Sequence, residues 1–138
     1  MEKLVVYFSK SGNTKMIAER IEQQHLVKYH RIQPDQPYPD EFRKLQAVSQ
    51  DEVLFGKTRA IKGIDRDLWE KYSEVIIGTP TYWGHLPACV CQFLKENDFG
   101  GKSVTFFVTC AGDPLNLQTE LERWKSELIE QSDFLCFD

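Results

Sequence analysis

Apolar residues along the chain alternate between short β-rich runs and longer stripes at helical spacing, the pattern of an α/β fold with a mainly parallel sheet. Leu4-Val5-Val6-Tyr7-Phe8 is a continuous apolar run, as a strand covered on both faces requires. Met16, Ile17, Ile21 and Leu26 then mark one face of a first helix, and Val27 to Ile32 reads as a second strand interrupted by His30 and Arg31. Pro34-Asp35-Gln36-Pro37-Tyr38-Pro39 is a loop, because proline removes the donors a sheet or helix needs. Phe42, Leu45 and Val48 stand at helical spacing, whereas Gly56 to Asp67 is polar, fits no regular element and is expected to be where the chain departs most from its relatives.

The second half is clearer. Val75-Ile76-Ile77-Gly78 predicts a third buried strand, and Pro87 suits the first turn of a helix carrying Val90, Phe93 and Leu94. Ser103 to Thr109 predicts a fourth strand. Pro114 starts a helix striped by Leu117, Leu121, Trp124 and Leu128, and Phe134 to Phe137 is a short fifth strand. Five strands with four intervening segments make a doubly wound sheet, in one domain spanning residues 1–138.

Composition narrows the function. No apolar run approaches a membrane span, and Met1-Glu2-Lys3 leads into the first strand without a cleavable signal pattern. A net charge of −4 leaves no basic footprint for nucleic acid. Cys89, Cys91, Cys110 and Cys136 form no dense disulfide framework, so reduced thiols in a cytoplasm are expected. Cys89 and Cys91 lie two apart on a predicted helix, face different directions and do not complete a zinc site, while Cys136 belongs to a core strand.

In a doubly wound sheet ligands bind beyond the carboxyl ends of the strands, where strand order reverses. Three turns there carry candidate chemistry. Ser9-Lys10-Ser11-Gly12-Asn13-Thr14 combines hydroxyls, an amide, a glycine and a helix start, which together make an anion site from backbone N–H groups and helix dipole. A plain turn capped by Ser11 or Asn13 is the alternative, but three hydroxyls exceed what a cap needs, so a phosphate is the preferred ligand. The loop is not a Walker loop: the only Gly-Lys-Ser triplet, at Gly101, precedes a strand, and GxGxxG is absent.

The second turn is Thr79-Pro80-Thr81-Tyr82-Trp83-Gly84-His85-Leu86-Pro87. Its adjacent aromatics suit stacking on a planar ligand or, equally, covering the helix that follows. His85 has no carboxylate partner visible in the sequence and is expected at the solvent-exposed surface. The third turn, Thr109-Cys110-Ala111-Gly112-Asp113-Pro114, lets a flat ring lie against its backbone; it also reads as an ordinary turn with Asp113 as helix cap, and the two readings are compatible.

These three loops, in this order after the first, third and fourth strands, resemble the flavodoxins, closest to short flavodoxin-like proteins of bacteria. The resemblance spans the whole chain. It implies a flavodoxin-like sheet of order 2-1-3-4-5 with helices on both faces and FMN at the junction of strands one and three, the family's placement. It further implies that Ser9, Lys10, Ser11, Gly12, Asn13 and Thr14 cradle the FMN phosphate. Tyr82 and Trp83, with Pro80 and Thr81 leading into them, would flank the isoalloxazine, and Gly84 would supply the flexible peptide beside its N5. Thr109, Cys110, Ala111, Gly112 and Asp113 would hold the pyrimidine edge, with Cys110 read as a small packing residue near the flavin. Aromatic, poorly solvated and mildly acidic surroundings would disfavour the anionic reduced flavin.

Two departures accompany the resemblance. The family's last helix is missing after Asp138, so that either a partner subunit covers the sheet face or the chain is a fragment. The charge is also modest beside the strongly acidic carriers, which leaves room for an enzyme. The expected function is FMN-dependent electron transfer, with no catalytic acid, base or metal from the protein and with another redox protein as partner. The alternatives are an NAD(P)H-dependent reductase of quinones or small acceptors, with an open flavin face at a homodimer interface, and a flavin-free interaction module of the same fold.

Overall fold

A computed structural model describes residues 3–10, 12, 14–16, 18–19, 27–83, 85–109 and 131–137, with Val27, Thr109 and the last seven described by their backbone alone. The strands are β1 (Lys3–Tyr7), β2 (Val27–Arg31), β3 (Glu74–Pro80) and β4 (Ser103–Thr109), and the helices are α1 (Phe42–Phe55), α2 (Arg66–Lys71) and α3 (Ala88–Glu96). The four strands are parallel and run in the order β2-β1-β3-β4. The backbone of Gln131–Phe137 (β5) extends the ladder beyond β4.

The continuous apolar strands follow from burial on both sides. Leu4, Val6 and Phe8 face a core shared with Ile77, Val90, Phe93 and Leu94, while Val5 faces Ala18 and Phe107 on the opposite side. Phe93 is fully buried, with its ring 5.6 Å from Trp69 and 6.3 Å from Phe99, and burying such a side chain contributes about 2 kcal/mol. His30, which interrupts the apolar pattern of β2, stacks on Phe93 at 6.0 Å, and burial lowers its pKa from 6.5.

Helix faces depart from the sequence expectation in two places. Thr14 and Ala18, not Met16, point inward at i and i+4; Met16 is 50% exposed. In α1 the inward positions are Leu45, Val48, Ser49 and Glu52, and Phe42 at its first turn is 68% exposed. The unassigned polar stretch ends in α2, a helix of six residues capped by Asp65, whose carboxylate accepts from the Leu68 N–H at 3.1 Å. Lys102 closes the other end of α2, donating to the carbonyls of Trp69 (2.7 Å) and Tyr72. Pro87 is the N-cap of α3, one position outside the first turn. The predicted helix after Pro114 and the stripe residues Ile17, Ile21 and Leu26 lie outside the described residues. Among the described residues, no helix is long and apolar enough to cross a membrane.

Candidate functional site

The parallel register brings the candidate loops to one edge. Tyr7 pairs with Arg31 on one side and Gly78 on the other, so the chain leaves β1 at the point where strand order reverses. The Phe8 N–H donates to the Gly78 carbonyl at 2.9 Å, and Pro80 lies in register with Thr109. The exits of β1, β3 and β4 are therefore neighbours.

In the first loop the Ser9 hydroxyl is turned inward, 3% exposed, and accepts from the N–H groups of Gly12 (3.1 Å) and Lys15 (3.2 Å). The Met16 N–H donates to the Gly12 carbonyl at 3.0 Å, which starts the helix at the glycine. Gly12 has φ +94°, a conformation that side chains rarely adopt, and the space where a Cβ would point is open. Thr14 is buried at 1% exposure, whereas the Lys10 ammonium forms an ion pair with Asp40. Ser11 and Asn13 lie outside the described residues.

In the second loop the two aromatics part company. Tyr82 packs inward, with its ring 5.4 Å from Tyr38 and 6.2 Å from Phe8, and burial foremost raises its pKa above the ordinary tyrosine value. Trp83 adopts φ +56°, the left-handed region uncommon for a bulky residue. Its indole lies outward, 48% exposed, yet its N–H donates to the Ser49 hydroxyl at 3.1 Å and the Gln46 carbonyl at 3.2 Å. Tyr82 and His85 close the turn by two backbone hydrogen bonds of 2.9 and 3.0 Å. That pairing leaves His85 half-buried, not at the exposed surface the sequence suggests. Pro80 and Thr81 are half-buried at the end of β3, and Gly84 lies outside the described residues. Of the third loop, Thr109 ends β4, and Cys110, Ala111, Gly112 and Asp113 lie outside the described residues.

Several supporting residues escaped the sequence reading. Arg31, the last residue of β2, donates to the Ser9 carbonyl at 3.0 Å and pins the first loop; a charge ending a strand next to β1 was its one signal. Glu52, buried in α1, pairs with Arg59 at 2.8 Å, and the Arg59 guanidinium lies 4.0 Å from the Tyr38 ring centre. Their neighbour Cys89 is fully buried, and burial pushes its thiol pKa up to about 12. Among the described residues, no group of His, Cys, Asp and Glu could hold a metal ion.

The family model for flavodoxin matches residues 2–130, so the chain belongs to the flavodoxin family. The fold is also that of solved flavoproteins. A candidate flavoprotein from Bacteroides eggerthii is 27% identical, with a TM-score of 0.79 over 97% of this chain and 87% of that one. A flavoprotein from Lactobacillus acidophilus, solved in complex with FMN, is 20% identical, with a TM-score of 0.76 over 98% of this chain and 90% of that one. A flavodoxin from Streptococcus pneumoniae is 15% identical, with a TM-score of 0.61 over 99% of this chain and 82% of that one. No curated protein matches the sequence.

The described residues fit the phosphate end of such a cofactor. The open face of Gly12 at the start of a helix leaves room for an anion beside the loop backbone, while the Gly12 and Lys15 N–H groups are themselves held by the Ser9 hydroxyl. At the second loop they also offer a flat, outward aromatic face, that of Trp83.

Proposed function

We propose that this chain binds FMN and transfers electrons. The reading takes the whole five-stranded sheet in order 2-1-3-4-5, with the cofactor at the β1/β3 switch point. Ser9 to Thr14 hold the phosphate. Ser9 shapes the loop from inside, Gly12 admits the anion, and Ser11, Asn13 and Thr14 add polar donors. Residues 80–84 and 109–113 flank and hold the ring, with Trp83 as the aromatic wall. Bound FMN supplies the redox chemistry, and the protein supplies binding, orientation and electrostatics.

The observation that carries this reading is the outward indole of Trp83, anchored on α1 and leaving the same sheet edge as the open Gly12 loop. A plain connecting turn has no use for a large aromatic held exposed in a left-handed conformation. Partners in the carrier reading are other redox proteins, in a cytoplasm that keeps the cysteines reduced. The net charge of −4 gives only weak steering toward such partners and favours, as a second reading, direct reduction by NAD(P)H with a small acceptor.

The deciding experiment loads the full chain with FMN, desalts it, and follows the visible spectrum anaerobically before and after excess NADPH. Flavin retained but still oxidised supports the carrier, and rapid bleaching supports the reductase. A colourless protein that refuses added FMN overturns both readings and leaves a flavin-free module. Removing the hydroxyls of Ser11 and Thr14 together lowers FMN affinity strongly, and unchanged affinity sinks the phosphate assignment.

A further inference from the structure

Large apolar side chains left exposed gather on one element. Among the described residues they are Met16, Phe42, Leu54, Phe55 and Trp83; three belong to α1 and Trp83 is bonded to it. Helical spacing sorts α1 into two faces. Leu45, Ser49 and Glu52 turn to the core, and Arg43, Ala47, Gln50 and Leu54, at i, i+4, i+7 and i+11, form the opposite, exposed stripe. Phe42 stands one turn before Gln46, whose carbonyl accepts from the Trp83 indole, so one edge of this face runs into the second loop. The outer stripe of a surface helix ordinarily carries polar and charged side chains. Here Leu54 and Phe55 are 68% and 71% exposed, in a patch with a polar rim, the mark of an interaction surface. With its 14 residues α1 presents that face over about 21 Å.

The charges on α1 give the occupant its sign. The chain carries 21 Asp and Glu against 17 Lys and Arg. Both acids of α1 are nonetheless engaged: Asp51 pairs with Lys57, and Glu52 is buried against Arg59. Its two cations, Arg43 and Lys44, are exposed and have no ion pair among the described residues. Just before the helix, Asp40 pairs with Lys10, which leaves Glu41 as the one carboxylate there without an ion pair among the described residues. Exposed cations beside exposed hydrophobes, with no free acid in the helix, complement an acidic surface with an apolar centre. A second copy of this chain would bring the same cations to the contact, and two cations hold an anionic bilayer only weakly.

We propose that the outer face of α1, continuous with Trp83, is the docking surface for an acidic redox protein. That the partner is a redox protein rests on the carrier reading above; the face and its charge preference do not. Arg43 and Lys44 steer the encounter, and Phe42 and Leu54 form its apolar centre. Trp83 stands at the border of this face and the second loop, so a partner seated on α1 touches the same loop that the flavin reading gives to the ring. The complex is small, charge-steered and transient, as electron-transfer encounters are.

The test titrates the isotope-labelled full chain, with and without FMN, with an acidic ferredoxin and follows the chain's NMR signals at low salt. Polyglutamate serves as a probe of charge alone, and basic cytochrome c as a probe of opposite sign. The expected result is that ferredoxin shifts the signals of α1 and of the Trp83 indole. Raised salt weakens that binding, and Arg43→Glu/Lys44→Glu weakens it at least about tenfold. Phe42→Ser/Leu54→Ser weakens it without altering its salt dependence, and Lys95→Glu, in the last turn of α3, leaves it unaltered. All these side chains are exposed, and an unaltered unfolding midpoint confirms that each variant keeps the fold. No binding, shifts confined to other elements, or indifference to the charge reversal overturns the proposal. So does polyglutamate or cytochrome c binding as tightly as ferredoxin. A dimer of the chain broken by Leu54→Ser, or binding to vesicles of anionic lipid through α1, gives the face to another occupant and also overturns it. FMN refused while ferredoxin still docks on α1 sinks the flavin reading and leaves the face standing; FMN taken up with α1 silent sinks the docking alone.

Discussion

The indole N–H of Trp83 donates to the hydroxyl of Ser49, 34 residues earlier, at 3.1 Å. Ser49 in turn donates to the Leu45 carbonyl at 2.7 Å, so the orientation of an exposed ring is set by a buried residue of helix α1. If the ring stacks on FMN, Trp83→Ala weakens binding by about tenfold and alters the flavin spectrum, since aromatic pairs contribute about 0.5–1.5 kcal/mol beyond their buried area. Trp83→Phe keeps most of the stacking. Ser49→Ala acts through the indole, costing a few-fold in FMN affinity and lowering the anisotropy of Trp83 fluorescence. Fluorescence titration with FMN checks all three, and an unaltered flavin spectrum in Trp83→Ala places the ring away from the cofactor.

Gly78 sits directly beneath Phe107, where an added Cβ would lie 2.0 Å from the ring's Cζ. The contact forms across the β3–β4 register at the strand ends that hold two of the candidate loops. Gly78→Ala forces this packed ring to move and destabilises the fold by about 3 kcal/mol. Adding Phe107→Leu to Gly78→Ala recovers part of that loss, because residues in contact do not act additively. Urea unfolding of the two single variants and the double variant measures the coupling; simple additivity would remove the contact as the cause.

The strands were legible because a parallel sheet buried on both faces needs continuous apolar runs, and Leu4 to Phe8, Val75 to Gly78 and Phe106 to Val108 supply them. Helix faces were less so. Met16 and Phe42 look like core residues by type, but which side of a helix is buried is decided by what it packs against. Helix α2 is too short for any periodic stripe, and its one local signal was Asp65 at the cap. The loops of the candidate site could be located by composition, yet not the divergence of Tyr82 and Trp83. That depends on a positive φ at Trp83 and on partners in α1 far away in sequence. The pairing of Glu52 with Arg59 was equally hidden, since charges seven residues apart ordinarily point to solvent.

Stability should fall at alkaline pH. Burial raises the Cys89 thiol from 9.0 to about 12 and raises the Tyr38 and Tyr82 hydroxyls above 10.0. All three are neutral when protonated, and the folded state holds these protons more tightly than the unfolded chain. Their contribution is complete below pH 9, the ordinary thiol value, and is lost progressively as pH rises toward the folded values. Urea midpoints are therefore expected to drop above pH 9, and less so in Cys89→Ala relative to its own neutral-pH value. The buried Tyr82 hydroxyl has no hydrogen-bond partner among the described residues, so Tyr82→Phe is neutral or stabilising at pH 7 and also flattens the alkaline limb. An identical pH profile in wild type and both variants would refute the assignment.

The ion pair of Arg59 with Glu52 is buried on both sides, at 15% and 7% side-chain exposure, with the guanidinium nitrogen 2.8 Å from the carboxylate. Arg59 also stacks on Tyr38 at 4.0 Å and donates to the Gln36 carbonyl at 2.6 Å, so one residue ties α1 to the proline-rich loop. Removing Arg59 alone leaves a carboxylate in an apolar surrounding and costs about 3–5 kcal/mol, whereas replacing the pair together by apolar residues of similar volume is close to neutral. The expected order of stability is wild type near Glu52→Leu/Arg59→Met, with Arg59→Met well below both. Thermal unfolding at neutral pH checks that order. If the double variant is as unstable as Arg59→Met, the loop clamp through Gln36 and Tyr38 outweighs the stranded charge as the reason Arg59 matters.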